Sequence, residues 1–141
     1  MPRTTPADLP RMPIPPDLWT DARHRDGLEA EHIAAEWLMR RNWQVVAQRY
    51  RMGRHDLDLV VRRGPLVAFV EVKWRHGVGC GAAEEAVGRQ KRRVIEQVAW
   101  SWILRYGQPG DEYRFDLFAL NGPLGRCRIN HVEDAWRPGW K

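Results

Sequence analysis

The sequence predicts an α/β domain in which helices pack on a mixed central β-sheet, in the order αβββαβ with one further strand at the end. Three observations carry this. The segment LVAFVEVK (66–73) is apolar on both of its alternating faces until its last residues, which marks a strand covered on both sides. Two long segments, 27–41 and 83–106, repeat apolar residues at helical spacing. The other apolar segments are short, rich in Val, Phe and Tyr, and bounded by Gly, Pro or Asn, as strands are. Helices alternating with strands in this way build a helix-on-sheet layer arrangement.

Residues 1–22 contain six prolines and little periodic apolar content, so they read as a disordered Pro-rich tail. The domain is expected over 23–136, with 137–141 as a C-terminal tail. From Gly27 to Arg41 the residues Ala30, Ile33, Ala34, Trp37 and Leu38 form one helical stripe, and Glu31 falls at its margin. Strands are expected at 43–51, 56–61 and 66–73. The last two are joined by Arg62-Arg63-Gly64-Pro65, a turn signal with two breakers. Gly77 to Gly81 reads as a loop. The second helix, 83–106, puts Val87, Val94, Ile95, Val98 and Trp102 on one face. Two more strands, 113–120 and 126–132, flank Asn121-Gly122-Pro123.

Composition narrows the function classes. The chain has 141 residues, enough for one ordinary core. It carries 23 Lys and Arg against 18 Asp and Glu, a net charge of +5, which favours polyanionic partners. Cys80 and Cys127 match no metal-ligand spacing and are too few for a disulfide framework, so a reduced, cytoplasmic protein is expected. No stretch approaches the roughly 20 apolar residues of a membrane span, and the N-terminal prolines interrupt any signal-peptide core.

The informative charges sit where a sheet interior makes charge costly. Glu71 and Lys73 end the apolar strand on one face, opposite Val70 and Val72. Asp56 and Asp58 share a face of the preceding strand. A hairpin with an even loop pairs even with odd positions and brings all four onto one face, whereas an odd loop scatters them. The simple alternative is an ion pair at the rim of the sheet, which is the ordinary meaning of an isolated ExK. Against it stand the doubly covered strand, Asp58 in compatible phase, and Glu31 at the edge of a core stripe. Hard carboxylate ligands select Mg²⁺ or Mn²⁺ over zinc, so Asp58 and Glu71 are the candidate metal ligands.

In the long helix, Lys91 falls near the middle of the apolar stripe. Either its stem snorkels along the sheet or its ammonium joins the acidic cluster. Arg89, Arg92 and Arg93 suit a solvated face as well as they suit phosphate contact. Arg49, Arg51, Arg54, Arg62, Arg63 and Arg75 flank the site strands as candidate phosphate contacts. Trp37 and Trp102 lie on core stripes. Trp74, Trp136 and Trp140 fit either packing or stacking on unpaired bases. Asp116, between Phe115 and Leu117, reads as a structural acid paired with Arg114 or a helix end.

Taken in order, Gly27-Leu28-Glu29-Ala30-Glu31, Trp37-Leu38, Tyr50-Arg51, Asp56-Leu57-Asp58-Leu59-Val60, Phe69-Val70-Glu71-Val72-Lys73, Lys91 and Arg114-Phe115-Asp116 resemble the YraN-like family of small bacterial proteins. That family is placed in the PD-(D/E)XK restriction-endonuclease-like superfamily, close to archaeal Holliday junction resolvases. The resemblance covers about residues 24–136. It implies a restriction-endonuclease-like fold and a Mg²⁺- or Mn²⁺-dependent, structure-selective endonuclease acting on DNA, including branched DNA, as a homodimer without membrane association. By position, Asp58 and Glu71 would be the metal carboxylates, Lys73 the catalytic lysine and Glu31 the helix-borne acid. Arg51, Arg54, Arg75, Lys91 and Arg92 would contact nucleic acid. The sequence departs from the family pattern at Ala30, at His55-Asp56 and at Trp74, which follows the lysine where a small polar residue is usual. Two other readings stay open: a nucleic-acid-binding protein that keeps the fold without cleaving, and an interaction module with a vestigial acidic site.

Overall fold

The computed structural model describes residues 22–75 and 87–140. The Pro-rich tail, apart from Ala22, the glycine-rich loop 77–81 and the expected start of the second helix at 83 lie outside the described residues. The element order is α1 (Ala22–Met39), β1 (Gln44–Met52), β2 (His55–Arg63), β3 (Leu66–Arg75), α2 (Arg89–Tyr106), β4 (Glu112–Asn121) and β5 (Arg128–Trp136). This is the αβββαβ order expected of a restriction-endonuclease-like core, extended by β5.

Two helix boundaries differ from expectation. The first helix begins at Ala22, so Gly27 lies inside it. The preceding Ala22 and Arg23 are good helix formers, and one interior glycine costs only about 1 kcal/mol. The second begins at Arg89, because Gly88 is extended, with φ −83° and ψ 176°, and ends the loop. At its other end the Gly107 N–H donates to the Ile103 carbonyl at 2.8 Å.

The sheet runs β1-β2-β3-β4-β5. The first three strands are antiparallel, β3 and β4 are parallel, and β5 returns antiparallel. A parallel pair needs a long crossover, and α2 lies within it. Between β2 and β3, Arg63 pairs with Leu66, leaving the two-residue loop Gly64-Pro65. Gly64 adopts φ 60°, which glycine tolerates without steric cost. The loop is therefore even, and Val60 pairs with Phe69 and Leu59 with Val70. Both edge strands carry a register shift and a left-handed residue, Arg49 in β1 and Asp134 in β5, which bend the exposed edges out of regular pairing.

Each face of the sheet holds its own core. On the α2 side, Val60, Val67, Phe69 and Phe115 pack against Ile95, Val98 and Trp102. On the α1 side, Leu59, Val61, Ala68, Val70 and Phe118 pack against Ala30, Ala34 and Leu38. Full burial of each Val, Leu or Phe contributes about 1.5–3 kcal/mol. The strands between two helix layers explain why LVAFV is apolar at every position.

Asp116 is fully buried in β4, as the structural acid the sequence suggested. It accepts two hydrogen bonds from Arg114, at 2.9 and 3.1 Å, and one from the Asp134 backbone N–H at 3.0 Å; His131 Nε2 lies 2.7 Å away. These partners outweigh its burial and hold its pKa below the ordinary range. The tryptophans divide. Trp37 and Trp102 pack as expected, and Trp136 is buried, stacks on Phe115 and donates to Glu96 at 2.9 Å. Trp140 packs against Trp100 and Phe115. Of the three offered for stacking on bases, Trp74 alone lines a cleft.

Candidate active site

Asp58, Glu71, Lys73, Glu31 and Lys91 meet at the end of the sheet where β2 begins and β3 ends. The printed pairing of the two strands stops at Leu59 with Val70. Beyond it the Val72 N–H is taken by the Asp58 carboxylate at 2.8 Å, so the strands part and a side chain fills the gap. Leu57 packs on the α2 side and Leu59 on the α1 side, although they are two residues apart. The strand therefore changes phase at Asp58, opposite the left-handed Arg49 (φ 52°), and Asp58 sits between the two layers. That phase change lets a residue of α1 and a residue of α2 reach the same carboxylates.

The result is a cleft of about 480 Å³ lined by α1 through Gly27, Ala30 and Glu31, by Asp58, by β3 from Glu71 to Arg75, and by Lys91 of α2. Glu71 is 3 % exposed. Lys73 Nζ and Lys91 Nζ both stand 3.7 Å from its Oε2, beyond hydrogen-bond length, from two different elements. Lys91 thus joins the acidic cluster, which settles the two alternatives its helical position left open. Glu71 Oε1 is buried and has no hydrogen-bond partner. Glu31, on the other side of Asp58, faces Arg49 at 3.5 Å.

Burial raises the pKa of all three carboxylates. Glu71 is pushed up to about 9, first by burial and then by the Asp58 charge, against the pull of Lys91 and Lys73. Glu31 rises to about 8 for the same two reasons, opposed by Arg49. Asp58 is also raised by burial, opposed by the Val72 N–H and the two lysines. Three carboxyl groups that resist ionising together, flanked by cations, form the kind of cluster found at functional sites.

The remaining expected contacts divide. Asp56 is drawn off to Arg49 and Arg51, each at 3.8 Å, and does not line the cleft. Arg75 and Lys91 line it. Arg51 and Arg54 are exposed on the β1–β2 hairpin at the same end of the sheet, while Arg92 lies over the Trp136 ring at 5.4 Å. Arg62 and Arg63 do not flank the site. They sit at the opposite end of β2, where Arg62 is held by Asp111 at 2.8 and 2.9 Å and Arg63 lies over Trp43. Two participants had no sequence signal: the Val72 backbone N–H, visible only once strand pairing is known, and Arg49, placed by an unusual backbone conformation.

Residues 30–120 match the uncharacterised protein family UPF0102. The chain belongs to this family. Glu31, Asp58, Glu71, Lys73 and Lys91 all fall inside the matched segment, and the YraN-like resemblance is borne out. A UPF0102 protein of Erythrobacter litoralis is 36 % identical over 115 residues, covering 81 % of this chain and 94 % of the relative. One of Anaeromyxobacter dehalogenans is 36 % identical over 123 residues, covering 84 % and 92 %. One of Parvibaculum lavamentivorans is 42 % identical over 118 residues, covering 83 % and 85 %. UPF0102 membership fixes the kinship of the chain, and its chemistry has to be argued from the cleft. No helix among the described residues is long and apolar enough to cross a membrane.

Proposed function

We propose that this UPF0102 protein is a Mg²⁺- or Mn²⁺-dependent, structure-selective endonuclease of the PD-(D/E)XK type that acts on DNA in the cytoplasm, as a homodimer. The observation that carries the reading is the buried Asp58–Glu71 pair with an unpartnered Glu71 oxygen. A buried carboxylate oxygen without a donor is costly unless a cation takes it. The donor set fits a hard divalent ion, with Asp58 and Glu71 as the residues that would hold it. Among the described residues no three His, Cys, Asp or Glu side chains converge on one point. That suits Mg²⁺, which binds through one or two carboxylates and keeps water or substrate oxygens for the rest. Once bound, the ion supplies Lewis-acid neutralisation of the phosphate and a more acidic water.

The side chains divide the remaining work. Lys73 places an ammonium at the rim of the cleft, where it offsets charge on a phosphate oxygen as a point charge. Glu31 holds a proton near neutral pH and lies beside Asp58, so it can exchange a proton with solvent or a leaving oxygen. Arg75 and Lys91 meet backbone phosphates, which position a strand without reading its sequence.

One observation favours a second reading, binding without cleavage. Both lysines approach the same Glu71 oxygen and partly balance its charge with no ion present. Incubating labelled branched, single-stranded and duplex DNA with Mg²⁺ or Mn²⁺ separates the two. Cleavage abolished by Lys73→Ala supports the nuclease. A gel shift in EDTA without cleavage under any cation supports the binding protein.

A further inference from the structure

Among the described residues Trp74 is the one aromatic side chain lining the cleft. It follows Lys73 on β3, so alternation turns it to the opposite face, toward α1. Its indole N–H donates to the Gly122 carbonyl at 2.7 Å, which fixes the ring against the loop after β4. It is only half-buried and packs at the margin of the α1-side core. The wall that α1 contributes on this side is made of Gly27 and Ala30. At Gly27 an added Cβ would meet no atom within 4 Å, so the space there is open. A flat, held ring and a wall of small residues share one cleft with the cations that suit a phosphate.

We propose that Trp74 and the Gly27–Ala30 wall receive an unpaired nucleobase, whose own phosphate then lies toward Lys73 and Glu71. The substrate class is therefore nucleic acid with at least one unpaired nucleotide beside the contacted phosphate, since a paired and stacked base offers no free face to the ring. Stacking of this kind tolerates any base, because every base has a π-face. It gives structure selectivity without sequence selectivity. The inference rests on the nuclease-like reading of the cleft and adds the feature of the substrate that the cleft selects.

The test compares affinities for a short single-stranded oligodeoxynucleotide carrying a central 2-aminopurine and for the same sequence as a duplex, with Ca²⁺ present. Wild type, Trp74→Ala and Trp74→Phe are measured, with circular dichroism verifying that each variant is folded. The wild type should prefer the single strand and quench 2-aminopurine fluorescence. In Trp74→Ala the ratio of single-strand to duplex affinity should fall about tenfold, the scale of one base stacked on an aromatic ring. Trp74→Phe should restore most of that ratio, because it keeps a ring. An unchanged ratio in Trp74→Ala, with both forms still bound, overturns the slot and leaves the nuclease reading standing. If the wild type binds neither form, both fall together.

Discussion

At Glu71 two lysines pull toward the carboxylate form, while burial and the neighbouring Asp58 push the other way and prevail. The sign for stability follows. Unfolded, Glu31 and Glu71 titrate near 4.5; folded, they titrate near 8 and 9. Below the lower value both states hold the protons. Between the values the native state holds protons that the unfolded chain has released, so stability declines as pH rises. The cation-free protein should thus lose melting temperature steadily from about pH 5 to about pH 9, and Glu71→Gln should flatten part of that decline. A wild-type profile that rises across this range in EDTA would contradict the burial argument. Cation affinity should run the opposite way and increase with pH, because binding must displace protons. At this scale the sequence was legible for Asp58, Glu71 and Lys73, whose charges interrupt apolar strands. It was ambiguous for Lys91, because a helical wheel gives a direction and not a contact.

Elements were legible where hydrophobic period is strong. The five strands and two helices match their expected positions because each buries a face against a neighbour, and periodicity records that burial. The ends were less legible. Gly27 reads as a helix start and is an interior residue, while Gly88 ends a loop within a segment whose apolar spacing continues through it. The phase change of β2 at Asp58 was not legible at all, since alternation assumes a regular strand and Arg49 breaks it from the neighbouring one. Asp116 shows how an element depends on its polar anchors. Asp116→Ala should destabilise the fold by about 3–5 kcal/mol, because it leaves Arg114 part-buried without its partner and disconnects β5 from β4. Urea denaturation measures this, and a loss below about 1 kcal/mol would mean that the network contributes little beyond packing. Phe69→Ala, between Trp102 and Phe115 in the α2-side core, should cost about as much through the cavity it leaves.

For the whole molecule, a net charge of +5 coexists with a buried cluster of acids, and the two are spatially sorted. Arg51, Arg54, Arg75 and Lys91 lie at the cleft end of the sheet, while Arg62 is spent on Asp111 at the far end. Nucleic-acid binding should therefore weaken steeply with salt, by a slope near 0.9 in log–log form for each phosphate neutralised on duplex DNA. Arg75→Ala combined with Arg54→Ala should lower the slope by about two, and filter binding at several ionic strengths measures it. A flat salt dependence would remove the polyanion from the account. The central claim, that Asp58 and Glu71 together hold a divalent cation, is tested most directly by the melting temperature of the entire fold. A ligand that binds only the native state stabilises it by mass action. Melting of the wild type near pH 8 should rise in millimolar Mg²⁺, Mn²⁺ or Ca²⁺ relative to EDTA. Asp58→Asn and Glu71→Gln should melt as high as the wild type or higher in EDTA, with one repelling charge gone, and should lose most of the response to all three ions. A wild type indifferent to every cation, or variants that respond as fully as it does, would contradict the claim.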